Sequence, residues 1–123
     1  MRIIRGKYGR RRFDVPKNIT ARPTTDFARE NIFNVLENML DFDGLRALDL
    51  FAGSGQLGIE ALSRGAAHCT FVDKGRDPIA VIRENLKKTR LEEKAEIVQA
   101  DYSSYLKTCR RQFDLVLLDP PYA

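Results

Sequence analysis

Short apolar runs and amphipathic stretches alternate along this chain. Ile3-Ile4-Arg5 and Arg12-Phe13-Asp14-Val15, set around Gly6 and Gly9, read as two short strands of a hairpin. Pro16 and Pro23 bound a loop over residues 17–24. From 26 to 40 the apolar spacing is helical, with Ala28, Ile32, Val35 or Leu36, and Met39 on one stripe. Thr25 or Asp26 is available to cap its first N–H groups. Residues 46–50, 69–72, 95–98 and 113–118 then read as strands, and 56–64, 77–89 and 103–110 as helices. In the second of these helices Asp77-Pro78 reads as an N-cap acid with proline at the first helical position, and Ile79, Ile82 and Leu86 form the buried side. Strand and helix in strict alternation predict an α/β fold: a parallel, Rossmann-like sheet with right-handed crossovers and helices on both faces.

Size and composition narrow the classes. A chain of 123 residues, 43% apolar and 31% charged, suits one folded body. We expect that body over 26–123, with the hairpin and loop of 1–25 as an N-terminal unit. No apolar run approaches the ~18 residues that would span a bilayer. The first residues lack the apolar core of a secretory signal, so the expected compartment is the cytoplasm and no membrane partner is expected. Cys69 and Cys109 are the only cysteines and His68 the only histidine. That count argues against a disulfide framework, a zinc site or a histidine-based triad, and no metal is expected.

The charge is uneven. Residues 1–23 hold eight basic groups (Arg2, Arg5, Lys7, Arg10, Arg11, Arg12, Lys17, Arg22) against Asp14, a balance of +7. The other hundred residues hold 13 basic and 16 acidic groups, a balance of −3 within the total of +4. A basic arm on a mildly acidic body points to a polyanion, and nucleic-acid phosphates are the expected partner.

Two motifs carry chemistry. Gly53-x-Gly55-x-x-Gly58 lies between a strand and a helix, where glycines let the backbone approach a ligand and the helix start offers N–H groups. Asp49, four residues before Gly53, would repel a pyrophosphate and favour the ammonium and sulfonium of S-adenosylmethionine. This disfavours a nicotinamide oxidoreductase. Phe51 and Ser54 lie in the same turn and are expected to line it. Asp73, twenty residues after Gly53 and followed by Lys74, stands where an acid accepts from ribose hydroxyls. Asp101, beside Tyr102, can accept from an adenine amino group or cap the helix at Ser103; the sequence supports both. The second motif is Asp119-Pro120-Pro121-Tyr122, directly after an apolar strand. Its prolines fix an extended tip. The Asp119 carboxylate and the Pro120 carbonyl would orient an exocyclic amine for in-line methyl transfer, with Tyr122 as the stacking face.

The stretches 49–58 and 119–122 resemble motifs I and IV of the class I S-adenosylmethionine-dependent amino-methyltransferases. The blocks Arg2-Ile3-Ile4-Arg5-Gly6-Lys7-Tyr8, Gly9-Arg10-Arg11-Arg12-Phe13, Val15-Pro16 and Arg22-Pro23-Thr24-Thr25-Asp26 resemble the bacterial RsmD family, as does Leu62-Ser63-Arg64-Gly65-Ala66. Those enzymes methylate the N2 amine of a guanine in 16S ribosomal RNA of the small ribosomal subunit. The resemblance implies that Asp49, Gly53 and Gly55 meet the methionine part of the cofactor, Asp73 its ribose and Asp101 its adenine. It also places Arg22 and Thr24 near the active site, the basic hairpin on RNA, and the flipped base at residues 119–122. The family continues past motif IV with further helices and three more strands, so this chain is expected to be the front portion, with residues 113–118 as an exposed apolar edge favouring association of an otherwise monomeric chain. Alternatives are a DNA adenine or protein glutamine methyltransferase, or a non-catalytic RNA-binding fragment.

Overall fold

The apolar runs after residue 45 are too short for helices and apolar at consecutive positions, the pattern of strands covered on both faces. In the computed structural model, which describes residues 2–5, 12–14 and 26–119, they form β3 (Arg46–Asp49), β4 (His68–Asp73), β5 (Ala95–Gln99) and β6 (Leu115–Leu118). Before them come β1 (Arg2–Arg5) and β2 (Arg12–Asp14), paired antiparallel with Ile3 opposite Phe13, as the hairpin reading expects. The six strands make one sheet in the order β2-β1-β6-β3-β4-β5. β6, β3, β4 and β5 run parallel. The expected parallel α/β body is therefore present.

The exposed edge expected at β6 is not. β1 runs antiparallel along it, from Arg2 opposite Leu118 to Arg5 opposite Leu115. An unpaired, apolar strand edge leaves N–H and C=O groups without partners, and β1 satisfies them from within the chain. Among the described strands, β2 and β5 form the edges.

Among the described residues four α-helices flank the sheet: α1 (Asp26–Met39), α2 (Gln56–Ser63), α3 (Arg76–Thr89) and α4 (Tyr102–Thr108). Side chains alternate across each strand, so each row of the sheet feeds a different core. Ala47, Cys69, Phe71, Leu115 and Leu117 pack against α1, α2 and α3, with Phe33, Leu62, Ile82 and Leu86 at the centre. Leu48, Leu50 and Val72 face the other way, towards Val98, Phe113, Val116, Leu118 and Tyr105 of α4.

Local details differ from the sequence reading for identifiable reasons. On α1 the buried stripe passes through Leu36, whereas Val35 is 58% exposed, and Phe33 joins the stripe fully buried. Helix α3 begins at Arg76 behind an extended Gly75, so Asp77 is not its cap. Asp77 instead sits in the first turn, where a negative charge complements the helix dipole, and Pro78 still lies where no N–H is needed. Thr25 and the Asp26 side chain, the candidate caps of α1, lie outside the described residues.

Helix α2 approaches the sheet very closely at Gly58. A Cβ there would stand 2.3 Å from Phe71 Cε2 and 2.7 Å from Cys69 Sγ, distances no packed side chain tolerates. Gly58→Ala is thus expected to lower stability by roughly 1–3 kcal/mol through overpacking. Urea unfolding measures it; an alanine variant as stable as the parent chain would contradict such close docking.

Candidate active site at the carboxyl edge of the sheet

Open α/β sheets bind ligands beyond the carboxyl ends of their strands. Here those ends release Asp49 from β3, Asp73 from β4, Asp101 just after β5 and Asp119 just after β6. After β3 the chain is tied to both neighbouring strands: Leu50 N donates to Leu117 O at 3.1 Å and Ala52 N to Val72 O at 3.1 Å. It then turns tightly, with Gly55 N donating to Ala52 O at 2.7 Å. Gly53 (φ 56°) and Gly55 (φ 82°) both adopt the left-handed conformation that glycine takes without strain. Gly55 ends the turn as the N-cap of α2 and offers no side-chain cap to the N–H groups of Gln56 and Leu57.

Asp73 braces this turn. Its Oδ2 accepts from Gly53 N at 2.9 Å and its Oδ1 from Gly75 N at 2.9 Å, so one carboxylate holds the glycine loop and the loop after β4 together. From the opposite side, Asn85 of α3 donates Nδ2 to Ser54 O at 2.9 Å. The sequence reading missed Asn85. Its one signal was an amide beside the buried Ile82 and Leu86 on an apolar helix face.

Asp49 is the unusual group. It is fully buried beneath the first turn of α2. Its Oδ2 accepts from Gly58 N at 3.1 Å, while its Oδ1 is buried with no hydrogen-bond partner. Burial, above all, pushes its carboxyl up to about 7; the Gly58 N–H pulls it down, and the charges of Asp119 and Asp73 raise it again. A buried, partnerless oxygen among three acids is a place for positive charge.

Asp101 is exposed and caps α4, accepting from Ser103 N at 3.2 Å. Its hydrogen bonds from Ser103, with Lys74 adding its charge, hold its carboxyl below the usual range. Of the two roles the sequence supports, the cap is thus in place. Tyr102 rests against Phe51 with ring centroids 4.9 Å apart, an aromatic pair joining the loop after β3 to the loop after β5. The cofactor candidates Asp49, Phe51, Gly53, Ser54, Gly55, Gly58, Asp73, Lys74, Asp101 and Tyr102 therefore gather at one edge, and Gly58 serves there by allowing close helix packing. Asp119 joins them, while Pro120, Pro121 and Tyr122 lie outside the described residues, as do Lys7, Arg10, Arg11, Arg22 and Thr24. Of the basic candidates on the hairpin strands, register puts Arg2 beside Leu118 at this edge, and Arg5 and Arg12 towards the other.

A concavity of about 500 Å³ lined by Glu37, Asp41, Phe42 and Arg64 lies at the opposite edge, where the strands begin. Arg64 there is engaged by Glu60 (2.7 Å) and Glu37 (2.9 Å), which leaves little for a ligand. Among the described residues, no group of three or more His, Cys, Asp or Glu residues is placed to hold a metal ion, and no helix is long and apolar enough to cross a membrane.

Residues 1–123 match the family described as Conserved hypothetical protein 95. The chain belongs to that family. YlbH of Bacillus subtilis (strain 168) is 43% identical over 125 residues, which cover 99% of this chain and 67% of YlbH. Ribosomal RNA small subunit methyltransferase D of Escherichia coli (strain K12) is 38% identical over 122 residues, 99% of this chain and 60% of that protein. Among solved structures, a conserved hypothetical protein of Streptococcus pyogenes is 41% identical with a TM-score of 0.71, over 76% of this chain and 57% of that one. The chain thus spans 60% to 67% of the length of these two curated relatives. The expected likeness to the RsmD family and the Rossmann-like methyltransferase sheet are both borne out.

The position of Asp49 has a measurable consequence. Between its ordinary value of 3.8 and about 7, the folded chain keeps a proton that the unfolded chain has lost. Asp49 therefore subtracts stability increasingly as pH rises through that window, and its full cost stands above it. Asp49→Asn is expected to unfold at higher urea than the parent chain at pH 8, by roughly 1–3 kcal/mol, with most of the gain gone at pH 5. An equal offset at both pH values would show that Asp49 does not titrate in this window.

Proposed function

We propose that this chain forms the cofactor-binding portion of an S-adenosylmethionine-dependent methyltransferase that modifies the N2 amine of a guanine in 16S ribosomal RNA. The observation that carries the cofactor reading is Asp49: a buried carboxylate with a partnerless oxygen beneath a glycine turn. Such a group repels phosphate and is relieved by a cationic ligand. The RNA reading draws on the name of the Escherichia coli relative and on the +7 balance of residues 1–23.

The residues fit that cofactor part by part. The first N–H groups of α2 suit its carboxylate, and the negative field of Asp49, with Asp73 and Asp119 nearby, suits its ammonium and sulfonium. Asp73 retains lone pairs for ribose hydroxyls beyond the two backbone donors it already accepts. Phe51 and Tyr102 offer apolar surface for adenine, and Asp101 can accept from its amino group while capping α4. The bound cofactor supplies an electrophilic methyl group. Asp119, with the segment through Tyr122, would orient the guanine amine towards it; the methyl's bond to sulfur breaks as the C–N bond forms, leaving a neutral thioether, and the methylated amine then loses its proton to solvent. Arg2, Arg5, Lys7, Arg10, Arg11, Arg12 and Arg22, with Thr24, contact RNA phosphates of the small ribosomal subunit, and the work is done in the cytoplasm.

Calorimetric titration of S-adenosylmethionine tests the cofactor half. The chain is expected to bind it, and Asp49→Ala to lose at least tenfold in affinity while remaining folded by circular dichroism. At pH 6, binding should release up to one proton, because the ligand's charge draws Asp49 into its ionised form. A folded chain that does not bind would overturn the reading. Neutralising Arg10, Arg11 and Arg12 together should weaken binding to a small-subunit RNA fragment and flatten its salt dependence by about 2 in log–log slope. Cofactor affinity should hold, and equal loss of both would remove the separate RNA-binding arm.

A further inference from the structure

The glycine turn has a weakness built into it. Ser54 is flanked by Gly53 and Gly55, and a peptide plane beside glycine can flip at little steric cost because glycine accepts either sign of φ. The orientation of the Ser54–Gly55 peptide decides whether the turn closes on Ala52 and whether α2 starts where it does. Asp73 fixes the Gly53 end of this turn, but it does not touch the Ser54 carbonyl.

That carbonyl is held by Asn85, whose Nδ2 lies 2.9 Å from Ser54 O, across 31 residues of sequence. Asn85 sits on α3 one turn after Ile82, which faces Gly55: a Cβ on Gly55 would stand 3.3 Å from its Cγ1. Ile82 thus leaves no spare room for a side chain at Gly55, and the helix is hydrogen-bonded to the turn at Asn85. The amide is half-buried beside the buried Ile82 and Leu86, where a polar group needs a partner, and Ser54 O is that partner.

We infer that Asn85 is a positioning residue of the cofactor site, a latch that selects one orientation of the Ser54–Gly55 peptide and so aims the first N–H groups of α2 into the cleft. It acts through the turn and touches no ligand. The inference rests on the cofactor reading above, and specifies how the loop of that site is kept ready before a ligand arrives. Without the latch the turn divides its time between two orientations, and only one binds, so affinity falls by the fraction of time lost.

The test compares the parent chain with Asn85→Asp, which keeps the shape but places a carboxylate against the carbonyl, and with Asn85→Leu, which removes the donor. Asn85→Gln keeps the donor on a longer stem. Calorimetry with S-adenosylmethionine should show about a tenfold loss for the Asp and Leu variants, with thermal midpoints little changed and most of the affinity recovered in Asn85→Gln. Amide exchange of residues 53–57, measured without cofactor, should rise in the same two variants only. Unchanged exchange and affinity, a loss that merely follows the melting temperature, or a Gln variant no better than Leu would overturn the latch. A parent chain that does not bind S-adenosylmethionine would overturn the cofactor reading instead, and the exchange data would still decide whether Asn85 pins the turn.

Discussion

A helix can start this close to the end of a strand only if the residue of its first turn that meets the sheet most closely carries no side chain. Gly58 meets that requirement against Phe71 and Cys69, and much else follows from it. The close approach brings Gly58 N within 3.1 Å of Asp49 and seals the carboxylate away from water. It also leaves so little room between strand and helix that the connection must turn through two left-handed glycines. The turn in turn presents Gly53 N to Asp73 and Ser54 O to Asn85. Packing, loop shape and electrostatics here are one constraint expressed at three levels.

The same constraint sorts acids that look alike in sequence. Asp73 has both oxygens satisfied by backbone N–H groups, and Asp101 is satisfied by the start of α4. Asp49 alone of the three has a buried oxygen with nothing to accept from, and burial raises its carboxyl towards neutrality. A fold selected only for stability would replace it with an amide or a small apolar side chain. A polar group kept at a cost to the fold is what a binding site leaves behind, so the burial of Asp49 argues for a ligand more strongly than the glycine spacing does. Glycine spacing explains a turn; it does not explain a charge hidden beneath one.

Much of this was legible in the sequence. The alternation after residue 45 predicts the parallel sheet because consecutive apolar positions suit strands buried on both faces. The position of each acid relative to its strand marks the ligand edge without any coordinates. Other features depend on geometry that a linear pattern does not carry. Val35 and Leu36 differ by one helical step, and only the packing of α1 against the sheet decides that Leu36 is inside. The docking of β1 along β6 joins residues more than a hundred positions apart, and no local propensity encodes such a pairing. Asn85 looks like any polar residue on a mostly exposed helix until the carbonyl it holds is located. Gly58 was legible as a member of a motif, but its reason, the ring of Phe71, was not.

The pairing of β1 with β6 also bears on how one edge could serve two ligands of opposite charge. β1 places Arg2 in register with Leu118, one residue before Asp119, so one basic position of the N-terminal hairpin lies at the same edge as the acids of the glycine turn. On the proposed reading, the acids beyond β3 and β4 receive a cationic cofactor, while the basic strand beyond β6 receives a polyanion. Had the two signs been mixed, they would have neutralised each other and attracted neither ligand. With β6 lying between Arg2 of β1 and the acid of β3, the boundary between the two signs falls at Asp119, where an amine of the polyanion would have to meet the methyl group of the cofactor.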